Sequence, residues 1–159
     1  MKPRYPLHNQ LGLLSLLIFA GIQAHGIHWD ALVKLQASRD FKVISGIFLT
    51  LYLALQWTLA YARRKKFRSL AEHLRFLHLY AGIIGPFLFY LHSTDLGFAY
   101  TWILSIVYLL DHLIGLLAPA SIGLRNRHYV NFWFITHMLA STLVVILTAC
   151  HVTIIAAYS

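Results

Sequence analysis

Cysteine is nearly absent: Cys150 is the single one in 159 residues. No intrachain disulfide is possible, and the redox compartment cannot be read from cysteines. Acidic residues are scarce too, five against thirteen lysines and arginines. No glycine-rich dinucleotide fingerprint occurs, which excludes taking hydride from a nicotinamide bound in that manner. Low-complexity segments are missing. Only 11% of residues are charged, too few for the surface of an ordinary soluble domain.

Apolar residues fill the space. They make up 59% of the chain, and the mean hydropathy is +0.67. Apolar runs of about 18 residues or more are long enough to cross a bilayer as helices. The expected fold is an all-α integral membrane protein, a single transmembrane domain over residues 1–159. Its bundle of about five helices has spans near 11–29, 43–62, 76–94, 98–118 and 131–157. A basic lead with Lys2 and Arg4 before the first run also describes a signal peptide; here the run is read as the first span. Trp29, Leu32 and Leu35 place part of the following connector at the interface as a short amphipathic helix. Gln56 is the most polar residue inside the second span.

The net charge of +8 sits between apolar segments and forms no stripe with aromatics. That excludes nucleic acid as a partner and leaves membrane lipid. With the N-terminus cytoplasmic, the inner segments hold Lys2, Arg4, Arg63, Arg64, Lys65, Lys66, Arg68, Arg75, Arg125 and Arg127, ten of the thirteen positive residues. An odd number of spans puts the C-terminus outside, and the third and fifth spans then run parallel. The expected location is a bacterial cytoplasmic membrane.

Four histidines stand out from the ten. His78 and His92 are fourteen positions apart in the third span, and His137 and His151 are fourteen apart in the fifth. Fourteen residues of α-helix advance about 21 Å and end roughly 40° short of four full turns. Both members of a pair therefore share a face, one near each end of a membrane-thick helix. Parallel spans bring His78 level with His137, and His92 level with His151. Ten histidines in this length give fewer than one such pair by chance. An ionisable residue inside a span is costly to bury and is functional by default.

Paired imidazoles across two helices suit the axial positions of haem iron. Without a Cys-x-x-Cys-His motif, such a haem is held non-covalently, as in b-type sites. A porphyrin is a flat apolar plate that needs small residues where it lies. Gly82 and Gly85 fall between the histidines of the third span on their face, and Ala140, Ser141, Val144 and Thr148 do so in the fifth. Small residues also serve ordinary helix packing in membranes. Pro86 is placed to kink the third span between the two levels.

Paired histidines with thirteen intervening residues on the third and fifth spans resemble the transmembrane domain of the ferric reductase and NADPH oxidase family. The bacterial cytochrome b family is similar in its paired spacings. The resemblance covers roughly residues 76–155. It implies two non-covalent b-type haems, one on His78 and His137 and the other on His92 and His151. It also implies electron transfer across the membrane. The departures are a missing sixth span and no C-terminal flavin- or nicotinamide-binding domain in these residues. The electron donor is then expected to be a quinol or another protein.

The function expected is that of a di-haem cytochrome b carrying electrons between a quinone pool and a redox partner. It would be the membrane subunit of a complex whose partner brings flavin, iron–sulfur or further haem centres. One alternative is a self-sufficient quinol:acceptor oxidoreductase acting on oxygen species or ferric iron. Another is a non-redox membrane protein that binds or transports metal. Asp111 and His112, inside the fourth span, are read either as a proton path or quinone site, or as a buried pair holding helices together. On the first reading Asp111→Asn keeps both haems and slows quinone-linked turnover. His25 and His28 are read as interfacial residues at a helix end, and Arg68, Arg75, Arg125 and Arg127 as propionate-level or topology-setting cations. Cys150 is read as packing.

Overall fold

The computed structural model describes residues 7–124 and 126–158. Among these it is all-helical, with no strand. The helices are α1 (Leu7–Ala24), α2 (Asp30–Ala37), α3 (Arg39–Arg64), α4 (Arg68–His92), α5 (Tyr100–Leu116), α6 (Pro119–Ile122) and α7 (Arg127–Tyr158). The inner-face cations Lys2, Arg4 and Arg125 lie outside the described residues. Four helices, α1, α3, α4 and α7, are long and apolar enough to cross a membrane. The expected fourth span is α5, apolar but only 17 residues long. By helical rise it reaches about 26 Å, somewhat short of a hydrocarbon core of about 30 Å.

Local chemistry sets the helix ends. α1 stops at Ala24, five residues before the end expected from hydropathy. Gly26 takes φ +58°, the Ile27 N–H reaches the Ile22 carbonyl at 3.0 Å, and the Gly26 N–H reaches Gln23 at 3.3 Å. That pair of bonds is a Schellman cap, which favours glycine in the left-handed position. His25 and His28 consequently lie beyond the helix. α3 closes in the same manner on Lys66, with φ +60° and the Phe67 N–H on the Ala62 carbonyl. Ser38 caps its start by accepting from the Phe41 N–H. The amphipathic stretch in the first connector is helical, as α2, with Leu32 and Gln36 buried.

The burial pattern is inverted relative to a water-soluble protein. Leu17, Phe48, Leu51, Phe132 and Leu139 are each at least 60% exposed, while Ser15, Gln36, Ser45, Ser105 and Ser121 are buried. Lipid is as apolar as leucine, so exposed leucines cost nothing there, whereas inward polar groups gain from each other. The chain is an integral membrane protein by this surface and by its four long apolar helices.

Its helices fall into two compact units, Leu14–Asp95 in one, and the start of α1 with everything from Leu96 onward in the other. In the first unit α3 and α4 pack along their lengths as an antiparallel hairpin. Pro86, buried inside α4, withholds one backbone donor. The Ser15 hydroxyl donates to the Ile83 carbonyl at 2.6 Å, next to the Gly82 carbonyl that Pro86 leaves without its helical donor. Gln36 closes the end of α4: its Nε2 donates to the Tyr90 and Leu91 carbonyls, and its Oε1 accepts from Thr94. In the second unit α5 packs against α7. Three carbonyls at the end of α5 are satisfied from elsewhere: Ile114 by Trp133 Nε1, Leu116 by Asn9 Nδ2, and Leu117 by the Tyr129 hydroxyl.

Candidate functional site

Each histidine pair lies on one uninterrupted helix, His78 and His92 on α4 and His137 and His151 on α7. Hydropathy centres the first pair in its run, but α4 begins two turns earlier, at Arg68, and His92 is its last residue. Residues 68–81 contain neither glycine nor proline. The helical ladder therefore continues across the change from basic to apolar side chains. Between the histidines one face of each helix is buried, at Gly85 and Pro86 on α4 and at Val144 on α7, which is 2% exposed.

In the first unit, His92 Nδ1 lies 3.1 Å from the Ser45 hydroxyl oxygen on α3. Ser45 spends its own proton on the Phe41 carbonyl at 2.7 Å. Its oxygen therefore accepts from His92 Nδ1–H, which leaves the lone pair of this imidazole on Nε2. Gly46, next along α3, gives the ring its room, since a Cβ there would stand 3.2 Å from His92 Cε1. His78 is partly buried, with Nδ1 out of reach of solvent.

In the second unit, His137 Nδ1 lies 3.0 Å from Asp111 Oδ1 on α5. The Ser141 hydroxyl donates to both oxygens of the same carboxylate, at 2.8 and 3.0 Å. His137 Nδ1 is shielded from solvent beside this carboxylate, at ion-pair distance but without hydrogen-bond geometry. Trp133 stacks on the His137 ring, with centroids 5.5 Å apart and planes 17° apart. Gly115 faces the ring from α5, where a Cβ would make ordinary contact at 3.7 Å. At the other end of α7, His151 Nδ1 is 2.6 Å from the Tyr100 hydroxyl.

The arrangement recurs. In each of these three cases a side chain on the packed neighbouring helix engages Nδ1. Metal-bound histidines almost always have their second ring nitrogen fixed in this way, which sets tautomer and orientation and raises ligand basicity. Of the partners, only Asp111 and Ser141 are visible as candidates in sequence, and neither for this role. Ser45, Gly46, Tyr100 and Trp133 carry no sequence signal, because their meaning depends on which helix they face.

Asp111 and His112, adjacent in α5, have separate surroundings. Asp111 joins α5 to α7 through Ser141 and His137. His112 Nδ1 donates to the Tyr108 carbonyl of its own helix at 2.8 Å, and its ring lies against the Tyr108 ring. His25, His28, His73 and His128 are exposed. Arg68, Arg75 and Arg127 are exposed as well. Cys150, read as packing from the sequence, is instead exposed on α7; a 32-residue helix cannot bury every face against one partner.

Two further observations bear on whether a flat cofactor fits these residues. A methyl group built on Gly82 would meet no atom within 4 Å, so open room lies beside α4 between the histidines. On α3, Gln56 Nε2 and Oε1 are shielded from solvent and bond to no group among the described residues. A buried amide without partners suits a site meant for an added polar group. Among the described residues, no three His, Cys, Asp or Glu side chains converge as they must to hold a bare ion. Haem asks only two, because the porphyrin supplies the other four nitrogens. Compared with protein-family models, curated proteins and solved structures, the chain matches none.

Proposed function

We propose that this protein is a membrane cytochrome in which His78, His92, His137 and His151 are axial ligands of two non-covalent b-type haems. The observation that carries the reading is the engagement of Nδ1 in His92, His137 and His151 by Ser45, Asp111 and Tyr100. Held so, an imidazole offers Nε2 in a set direction at little entropic cost. The open room at Gly82 and the unpartnered amide of Gln56 agree with a bound macrocycle.

A haem held by two of these imidazoles would supply reversible one-electron chemistry. The chain's own residues do the rest. Ser45 holds the proton of His92 on Nδ1, and Asp111 places its carboxylate beside His137 Nδ1. Trp133 covers one face of the His137 ring. The negative charge of Asp111 beside His137 would favour the oxidised iron of a haem held there. The chain is read as five spans, α5 included, in a bacterial cytoplasmic membrane with the N-terminus inside. It is the membrane subunit of a complex, taking electrons from or giving them to a quinone pool and passing them to a partner with flavin, iron–sulfur or haem centres.

The test is an absorption spectrum of the purified chain, oxidised and dithionite-reduced, with haem counted as the pyridine haemochrome. About two b-type haems per chain are expected. A colourless preparation with bound zinc or copper would select the metal-binding alternative. Gly46 gives a second check. Gly46→Val adds branched bulk against His92, where even a Cβ lies 3.2 Å from the ring. The variant is expected to retain about one haem where the parent retains two, because overpacking displaces the imidazole that ligates.

A further inference from the structure

We infer that the α3–α4 turn binds the headgroup of an anionic phospholipid, with Arg63 and Arg75 clasping its phosphodiester. This inference is independent of the haem reading.

Arg63 follows Ala62, the last residue of the apolar run in α3, and Arg75 precedes Phe76, the first of the apolar run in α4. The two helices pack antiparallel. Each arginine is therefore the first cation beyond the hydrocarbon on its own helix, and the two stand at one level of the membrane. Between them is an open pocket of roughly 440 Å³, lined by Arg63, Ala71, Glu72 and Arg75. That size is within the range of small-molecule sites, about 300–1,000 Å³.

Charge identifies the occupant. Residues 63–75 hold six cations, Arg63, Arg64, Lys65, Lys66, Arg68 and Arg75, against the one carboxylate of Glu72, a net of +5. All seven side chains are exposed. Among the described residues the only ion pair is His137 with Asp111, so Glu72 pairs with neither arginine, although it shares a pocket with both. A guanidinium presents a fork of donors that matches two phosphate oxygens. Basic segments beside membrane helices attract anionic lipids. Glu72 gives the pocket a second character. A carboxylate between two arginines repels a dianionic phosphate monoester but accepts from a headgroup hydroxyl. The ligand is thus a singly charged diester carrying hydroxyls, as in phosphatidylglycerol, rather than phosphatidic acid or free phosphate.

Native mass spectrometry of the purified full-length chain, offered equimolar phosphatidylglycerol and phosphatidylcholine with matched acyl chains, tests this. The phosphatidylglycerol adduct is expected to dominate roughly tenfold, and Arg63→Gln with Arg75→Gln to bring the two near parity. Arg63→Lys with Arg75→Lys keeps the charge without the fork and is expected to fall between. Glu72→Gln is expected to erase the preference for phosphatidylglycerol over phosphatidic acid. Circular dichroism melts matching the parent show that the variants fold. Equal adducts of the two lipids on the parent overturn the inference. So does an undiminished preference in the double glutamine variant, or an equal loss in Arg64→Gln with Lys65→Gln, which would mean a diffuse basic surface. Removal of the lipid adduct by excess inorganic phosphate assigns the pocket to free phosphate and overturns the lipid assignment.

Discussion

His78→Leu and His137→Leu are each expected to lower haem from about two to about one per chain, and the two together to leave it at about one. Combining His78→Leu with His92→Leu is expected to leave none. The argument starts from coordination. A b-type haem has no covalent tether, so its retention rests on two iron–nitrogen bonds and on burial of the macrocycle. Removing one imidazole would take away one of the two bonds that hold such a haem. If His78 and His137 share a haem, the second substitution has nothing further to remove, and the effects are far from additive. On the same proposal His92 and His151 would share the other haem. Haem-to-protein ratios and the reduced α-band measure all these variants. Equal retention of two haems by every single variant would falsify the ligand assignment. Loss of both haems in each single variant, with helical content preserved, would deny that the sites fill independently.

Asp111 carries the second large effect. Its carboxylate accepts from Ser141 and stands 3.0 Å from His137 Nδ1, with about a fifth of the side chain exposed. Asp111→Ala removes the group that holds the His137 ring. Loss of such a partner typically costs 10–100-fold in metal affinity. The haem ligated by His137 is therefore expected to dissociate at protein concentrations where the parent keeps it. Asp111→Asn is the more informative change. An amide oxygen still accepts from Ser141 and keeps the shape beside His137, but it removes the negative charge. Both haems are then expected to stay, with one midpoint potential raised and the other unchanged. A redox titration followed at the α-band reads this directly. The other role considered for Asp111, a proton path or quinone site, has a different signature: slower quinol-linked turnover with both potentials where they were. The two measurements on one variant separate the roles.

Sequence reading and structure agree closely where the physics is local. That His78 and His92 share a face of one helix, and His137 and His151 a face of another, follows from the helical repeat and an unbroken run of helix-compatible residues. Span ends were less legible. Hydropathy carried the first span on to Trp29, but Gly26 in a left-handed cap ends it at Ala24. Hydropathy started the third span at Phe76, but nothing in residues 68–75 breaks the helical ladder. A membrane boundary is a change of solvent, whereas a helix boundary is a change of hydrogen bonding, and the two need not coincide.

The sequence alone determined that this chain belongs in a membrane, where its charges cluster, and which four histidines are spaced for a pair of centres. Apolar length and helical periodicity settle such matters within one segment. Tertiary structure decided which side chains three of those histidines meet. Ser45 meets His92 from 47 residues away, and Tyr100 meets His151 from 51. No periodicity links residues so distant. Only the packing of α3 on α4 and of α5 on α7 brings an oxygen to Nδ1 of His92, His137 and His151.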